Sequence, residues 1–174
     1  MATAPPALLR TIRLLDGISL WSGRAVACLV VPMVLGLVYE VVARYLFNAP
    51  TVWAYDLTFM LYGTFFMLGS AYALQRKAHI RTDTFYGNWS PRVQGAVDAA
   101  CYAVLFPALL VFLWAGWSFF ARSFGQGERI VTSPWMPIVY PFKLVMPLAT
   151  LLLLLQSVSE FLKSLWAARS GEWL

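Results

Sequence analysis

The sequence predicts an all-α integral membrane protein of four spanning helices, preceded by an N-terminal amphipathic helix at the membrane interface. Hydrophobic residues fill 60% of the 174 positions and charged residues only 12%, against roughly 25% charged residues in ordinary soluble domains. Four apolar stretches reach the length of about 20 residues that a hydrocarbon core requires. They lack the alternating polarity of membrane-barrel strands, so helices are the expected spanning elements.

The whole chain, residues 1–174, is expected to form a single membrane domain. The spans are predicted at about residues 24–47, 52–74, 92–122 and 137–162. Ser90 followed by Pro91 is typical of a helix start, because a proline in the first turn interrupts no helical hydrogen bond.

Residues 7–22 are predicted to form the amphipathic helix. Leu8, Ile12, Leu15 and Ile18 recur at helical spacing, which predicts an apolar stripe that lies in the membrane interface. The offset charged residues are Arg10, Arg13 and Asp16. A disordered tail is the alternative. A cleaved secretory signal is not expected, because no long apolar core precedes a small-residue cleavage site.

The distribution of basic residues predicts the orientation in the membrane. Nine of them flank one side of the four predicted spans: Arg10, Arg13, Arg24, Arg76, Lys77, Arg81, Arg92, Lys163 and Arg169. Four flank the other side: Arg44, Arg122, Arg129 and Lys143. The positive-inside rule then places both termini in the cytoplasm, with residues 44–52 and 122–136 in outward-facing loops.

Several charged residues fall inside the predicted spans. Glu40, Asp56 and Lys143 lie near the outward ends of the first, second and fourth spans. Charges inside a membrane are costly and usually paired, so Lys143 is expected to pair with Asp56 or Glu40. The alternative is that each side chain extends to the lipid headgroups. At the inward ends, Lys163 lies close to Glu160 in sequence.

Small residues and prolines mark the interiors of the helices. Gly63, Gly69 and Ala73 in the second span predict a face where another helix approaches closely, either in this chain or in a partner. Three prolines also lie within the predicted spans: Pro32, Pro107 and Pro147. They are expected to bend their helices, and these bends are expected to serve helix packing rather than to act as hinges for transport.

The residues that most enzymes require are scarce. The only histidine is His79, which is expected at a surface, and both cysteines, Cys28 and Cys101, fall within apolar segments. The spacings typical of metal, haem, hydrolase or nucleotide sites do not occur. We therefore expect no enzyme activity, no cofactor and no metal. Nucleic-acid binding is not expected either, because the excess positive charge lies between apolar segments.

The spans also lack the polar, interrupted centres at which secondary transporters hold substrates and ions. This favours a subunit over a complete carrier. The alternatives are a stand-alone channel or exporter formed by oligomerisation and, less favoured, a membrane redox subunit.

Several runs resemble the small membrane subunit (DctQ) of tripartite ATP-independent periplasmic (TRAP) transporters. The first half contributes RYLFNAP at 44–50, WAYD at 53–56, HIRTD at 79–83 and SPR at 90–92. The second half contributes GER at 127–129, SPW at 133–135 and YPFK at 140–143, which resemble the mannitol/chloroaromatic or keto-acid subgroup. The resemblance covers about residues 20–165.

The resemblance implies a location, a role and partners. It implies a multi-pass protein of the bacterial inner membrane that acts as a static scaffold for a large elevator subunit. That subunit would perform sodium-coupled uptake of an organic acid delivered by a periplasmic receptor. Outward-loop residues that would help to dock this receptor are Arg44, Arg122, Glu128 and Arg129. Headgroup or water contact is the alternative for these residues.

Overall fold

A computed structural model of the chain describes residues 5–77 and 86–174. Five helices lie in these ranges: α1 (Pro6–Ala27), α2 (Val30–Leu46), α3 (Ala54–Gln75), α4 (Pro91–Gln126) and α5 (Tyr140–Ser170). The pairing of Arg129 with Ile138 is an isolated antiparallel bridge. The HIRTD run at 79–83, with His79 and Arg81, lies outside the described residues.

Four helical stretches in the described part of the chain are long and apolar enough to cross a membrane. They are Pro6–Leu46, Ala54–Gln75, Pro91–Gln126 and Tyr140–Ser170. The predicted all-α, four-helix membrane class is therefore confirmed. The residues at which each span enters the bilayer stay a prediction.

The first of these stretches contains a break. Leu29 N–H donates to Val26 O at 2.9 Å, which closes a turn between α1 and α2. Pro32 consequently falls in the first turn of α2, where its missing N–H costs little. The other two prolines, Pro107 and Pro147, lie inside α4 and α5 as expected.

Helix α5 is the centre of the bundle. It packs on α1, α3 and α4, whereas the main neighbour of α2 is α3. The buried positions of α5 are mostly small or polar, and they include Thr150, Ser157 and Ala167. Large apolar side chains instead point outward from α2 and α4, such as Val104 and Trp114. This distribution suits a protein whose surroundings are apolar.

Helices α4 and α5 approach each other closely at Gly95. A Cβ atom added there would lie 2.5 Å from Ser164 O and 2.6 Å from Ala168 N. Only a residue without a side chain allows these backbones to approach so closely. Gly95 therefore sets the separation of the two longest helices at this end of the bundle.

The loop between α4 and α5 folds back on itself. Gly127 ends α4 with a φ of 57°, a conformation that favours glycine. Ile130 N–H donates to Pro137 O at 3.0 Å, and Val139 N–H donates to Glu128 O at 3.1 Å. This loop and the α2–α3 loop share one end of the bundle, which we call the loop end. The start of α1 and the end of α5 lie at the other, the terminal end.

Candidate functional site

The largest polar group of the described residues lies where α1, α3 and α5 meet, near the terminal end. We call it the junction cluster, and its members are Asp16, Gln75, Gln156, Ser159, Glu160 and Lys163. Asp16 Oδ1 accepts hydrogen bonds from Gln156 Nε2 at 3.0 Å, Ser159 Oγ at 2.7 Å and Lys163 Nζ at 3.1 Å. Asp16 Oδ2 lies 2.9 Å from the same ammonium.

Glu160 is the second acid of the junction cluster. Its Oε1 accepts hydrogen bonds from Lys163 Nζ at 2.7 Å and from Gln156 Nε2 at 3.1 Å. Glu160 is 3% exposed and Gln156 is fully buried. One ammonium therefore contacts two carboxyl groups, and the Glu160 side chain is the more deeply buried of the two acids. Removal of any one partner from a buried charge cluster strongly destabilises the fold.

Helix α3 joins the junction cluster through Gln75, whose Nε2 donates to the backbone oxygen of Asp16 at 2.7 Å. Among the described residues, Gln75 Oε1, Gln156 Oε1 and the hydroxyl of fully buried Ser19 have no hydrogen-bond partner. Buried polar groups are rarely left unpaired without a reason.

The hydrogen bonds of the junction cluster connect α1 to α3 and α1 to α5. Polar contacts therefore hold three helices together where a soluble bundle would use an apolar core.

The junction cluster was not among the predicted polar pairings, apart from the closeness of Lys163 to Glu160. Ile18 of the predicted apolar stripe is 45% exposed, whereas Ser19 is fully buried and Asp16 binds α5; the location of the stripe in the membrane interface stays a prediction. The helix turns Asp16 inward because α5 offers several donors on the facing side. A signal was present in the sequence: Gln156, Ser159 and Lys163 recur at helical spacing along an otherwise apolar helix.

At the loop end, the structure corrects the expected pairing of Lys143. Its ammonium binds Glu128 Oε2 and lies 4.0 Å from the centre of the Phe119 ring; it does not pair with Asp56 or Glu40. The cause is the folded α4–α5 loop. Because Val139 N–H donates to Glu128 O, Glu128 lies one helical turn from Lys143.

The other two acids of the expected layer have partners other than Lys143. Glu40 accepts hydrogen bonds from Arg44 Nε at 2.8 Å and from the backbone N–H of Thr51 at 2.9 Å. Asp56 accepts a hydrogen bond from the hydroxyl of Ser133. The loop end therefore holds three separate pairings, and the Asp56 contact links α3 to the α4–α5 loop.

The proposed docking residues differ in their surroundings. Arg44 and Arg122 are exposed near the ends of α2 and α4. Arg129 is exposed as well, and its Nη1 donates to Met136 O at 3.2 Å. Glu128 is engaged by Lys143. All four residues lie at the loop end, so a single partner could contact them, but receptor docking itself stays a prediction.

The three small residues of α3 separate into two settings. A Cβ atom on Gly63 would lie 2.7 Å from the Phe142 ring, so Gly63 lets α5 approach within this chain. Gly69 has no neighbour within 4 Å of such an atom. It lines an open groove of about 460 Å³ together with Ala73 and with Gly23 of α1. A helix of a partner at this groove stays a prediction.

The ion pair between Glu128 and Lys143 is expected to make the thermal stability of the protein depend on pH. The hydrogen bond from Lys143 holds the pKa of Glu128 below its ordinary value. A lowered pKa means that the pair stabilises the fold above the ordinary glutamate range and is lost as the pH falls through the lowered pKa. Wild-type protein is therefore expected to unfold at a higher temperature than Glu128→Gln at pH 7, and the difference should vanish in acid.

Thermal unfolding of the detergent-solubilised chain, followed by tryptophan fluorescence between pH 7 and pH 3, measures this difference. Arg129→Gln is the neighbouring control, because Arg129 is not part of the ion pair. A difference between wild type and Glu128→Gln that does not change with pH would contradict the assignment.

The comparison with family models matches residues 33–166 to the DctQ component of tripartite ATP-independent periplasmic transporters. The match covers well over half of the 174 residues. The chain belongs to the DctQ family. It is thus a small permease subunit of a TRAP transporter and a multi-pass protein of the inner membrane, and its family is a transporter component rather than a family of enzymes. A comparison with curated proteins returned no match.

The matched range contains most of the features described above. It begins within α2 and ends in α5, so it includes the loop end, Gly95 and most of the junction cluster. Asp16 lies before it, on α1. Within the described residues no group of three or more histidine, cysteine, aspartate or glutamate side chains is arranged to hold a metal ion.

Proposed function

We propose that this DctQ subunit is the static frame of its transporter. It would hold a large membrane subunit that moves as an elevator and performs sodium-coupled uptake of an organic acid. The observation that supports this best is the junction cluster, because its hydrogen bonds connect α1, α3 and α5 to one another and define no path across the bundle.

A frame must resist deformation while its neighbour moves. Two features supply that resistance at the terminal end: the junction cluster joins three helices, and Gly95 lets α4 contact α5 backbone to backbone. At the loop end, the Asp56–Ser133 contact attaches α3 to the α4–α5 loop. The polar side chains are thus engaged in holding the helices together.

The outward surface offers area for both lipid and the large subunit. Helix α2 has a single buried residue, Ala43, and exposes large apolar side chains such as Val38 and Tyr45. Helix α4 exposes Trp114 and Trp117. Without water, helices associate through such packing surfaces rather than through hydrophobic burial, so a large subunit could dock on either face.

The substrate and the sodium ions would be handled by the large subunit and the receptor, as the family resemblance implies. The subgroup resemblance at 127–143 favours organic acids such as 2-oxo acids. The count of basic residues supports cytoplasmic termini. Protease access to a terminal tag in sealed spheroplasts would test this orientation, since cleavage from outside would contradict it.

Reconstitution tests the scaffold role. The chain, the large subunit of its transporter and the periplasmic receptor are combined in liposomes under a sodium gradient, and uptake of a labelled 2-oxo acid is measured. Omission of this chain is expected to abolish uptake, and the chain alone is expected to give none. Unassisted flux through the chain alone would contradict the frame and favour the channel or exporter alternative.

We also propose that Arg44, Arg122, Glu128 and Arg129 help to dock the receptor. Charges at the rim of an interface mainly steer encounter and are screened by salt. Arg129→Glu is therefore expected to reduce receptor-dependent uptake severalfold at low ionic strength and much less at high ionic strength. Arg169→Glu, at the terminal end, is the control. Uptake by Arg129→Glu equal to wild type at both ionic strengths would argue against docking.

A further inference from the structure

A second groove of the molecule lies between one side of α1 and helices α3 and α5. Its volume is about 790 Å³, within the range of about 300–1,000 Å³ that small-molecule sites occupy. Gly17, Trp21, Leu68, Leu148 and Leu152 line it, and Arg13 stands at one end. The walls are thus almost entirely apolar, and a cationic side chain marks one end.

The direction of this groove follows from the packing of α1. Leu8 shares a crevice with Trp166 near the end of α5, Asp16 binds Lys163, and Ala25 lines the groove with Leu148. Helix α1 therefore runs antiparallel to α5, and the groove extends from the terminal end into the bundle.

The length of the groove matches one leaflet of a bilayer. Arg13 and Val26 line its two ends along α1, and their separation in sequence corresponds to about 20 Å of helix at about 1.5 Å per residue. Half of a hydrocarbon core of about 30 Å is about 15 Å. An acyl chain that enters beside Arg13 would therefore occupy the groove over the depth of its own leaflet.

The end of the groove carries positive charge. A shallow depression lined by Pro6, Arg10, Arg13 and Leu14 continues from it, and both arginines are exposed. Arg13 Nε donates to Leu9 O at 3.4 Å, which uses one of its five donors. Asp16, the acid of this helix, is bound by Lys163 instead. Within residues 5–77 and 86–174, no carboxylate binds either guanidinium group, and guanidinium groups in such a setting are suited to a phosphate.

We propose that this groove binds an anionic phospholipid of the leaflet on the terminal side. One acyl chain would lie between α1 and α5, and the phosphate would contact Arg10 and Arg13. The lipid would thereby support α1 on the side opposite the hydrogen bonds of the junction cluster. This proposal goes beyond the frame role and does not depend on it.

A substitution at Gly17 tests the acyl site without disturbing the fold. No atom lies within 4 Å of a Cβ added at Gly17, and Gly17 lines the groove, so the side chain of Gly17→Phe would start in open space and take up groove volume. Gly36→Phe is the matched control, because Gly36 on α2 has equally open surroundings and does not line the groove. The probe is phosphatidylglycerol, compared with phosphatidylcholine, and native mass spectrometry of the full chain counts bound lipid.

Wild-type protein and Gly36→Phe are expected to retain phosphatidylglycerol in preference to phosphatidylcholine, and Gly17→Phe is expected to lose most of the bound lipid. Arg13→Gln should reduce the preference about fivefold, the contribution of one basic residue near an anionic surface. Lipid retention by Gly17→Phe equal to that of Gly36→Phe would overturn the proposal. Loss of the large subunit from Gly17→Phe with unchanged lipid would also overturn it, in favour of a protein occupant.

Discussion

Replacement of Lys163 with methionine is expected to destabilise this subunit more than any other single change of a charged side chain. Lys163 Nζ lies 2.7 Å from Glu160 Oε1 and 2.9 Å from Asp16 Oδ2. Without the ammonium, two carboxylates that share the amide of Gln156 would face each other with no cation. Removal of one partner from a buried ion pair typically costs about 3–5 kcal/mol. The expected result is a clear drop in the unfolding temperature.

Two further variants separate the lost charge from a general packing defect. Lys163→Arg keeps the positive charge and is expected to retain much of the stability. A triple variant, Asp16→Asn with Glu160→Gln and Lys163→Met, removes all three charges together. It should recover part of the loss, because no carboxylate is then left unpaired. Unfolding of Lys163→Met at the wild-type temperature would show that the junction cluster does not hold the helices.

Gly95→Leu is expected to separate α4 from α5 at the terminal end. The added Cβ atom would lie 2.5 Å from Ser164 O and 2.6 Å from Ala168 N, and neither backbone atom can move without its helix. Extra atoms in a closely packed contact commonly lower the free energy of unfolding by about 1–3 kcal/mol. Because the added atoms at Gly95 would clash with backbone, we expect a loss at the upper end of this range. We expect reduced expression, a lower unfolding temperature and weaker recovery of the large subunit.

The same helix provides the control for this substitution. Gly125, near the end of α4, has nothing within 4 Å of an added Cβ atom, so Gly125→Leu should leave stability close to wild type. Both variants are compared by tryptophan fluorescence during heating and by co-purification with the large subunit. Equal behaviour of Gly95→Leu and Gly125→Leu would show that the two helices tolerate a wider separation.

Features that depend on local sequence were predictable. Pro91 occupies the first position of α4 and Ser90 precedes it in extended conformation, because a proline without an N–H suits that place in any helix. Lys163 contacts Glu160 because residues three apart lie on the same side of a helix. The order of the motifs at 44–56 and 127–143 also indicated the family, and the family match confirmed it.

Features that depend on how helices approach one another were not predictable in the same way. Lys143 could have met Asp56 or Glu40, and only the fold of the α4–α5 loop brings Glu128 to it. Gly63 and Gly69 are alike in sequence, yet Gly63 contacts Phe142 and Gly69 faces a groove. The rotation of α3 about its own axis makes that difference.

By itself, the sequence determined that this protein is a four-span membrane subunit. Hydrophobic length, breaker residues and charge between spans are properties of single segments, and the bilayer acts on each segment separately. Only the tertiary structure decided which polar groups meet. Asp16 reaches Gln156 and Lys163 from the other end of the chain because α1 rotates toward α5. Such rotations are set by the packing of several helices at once, which no single segment encodes.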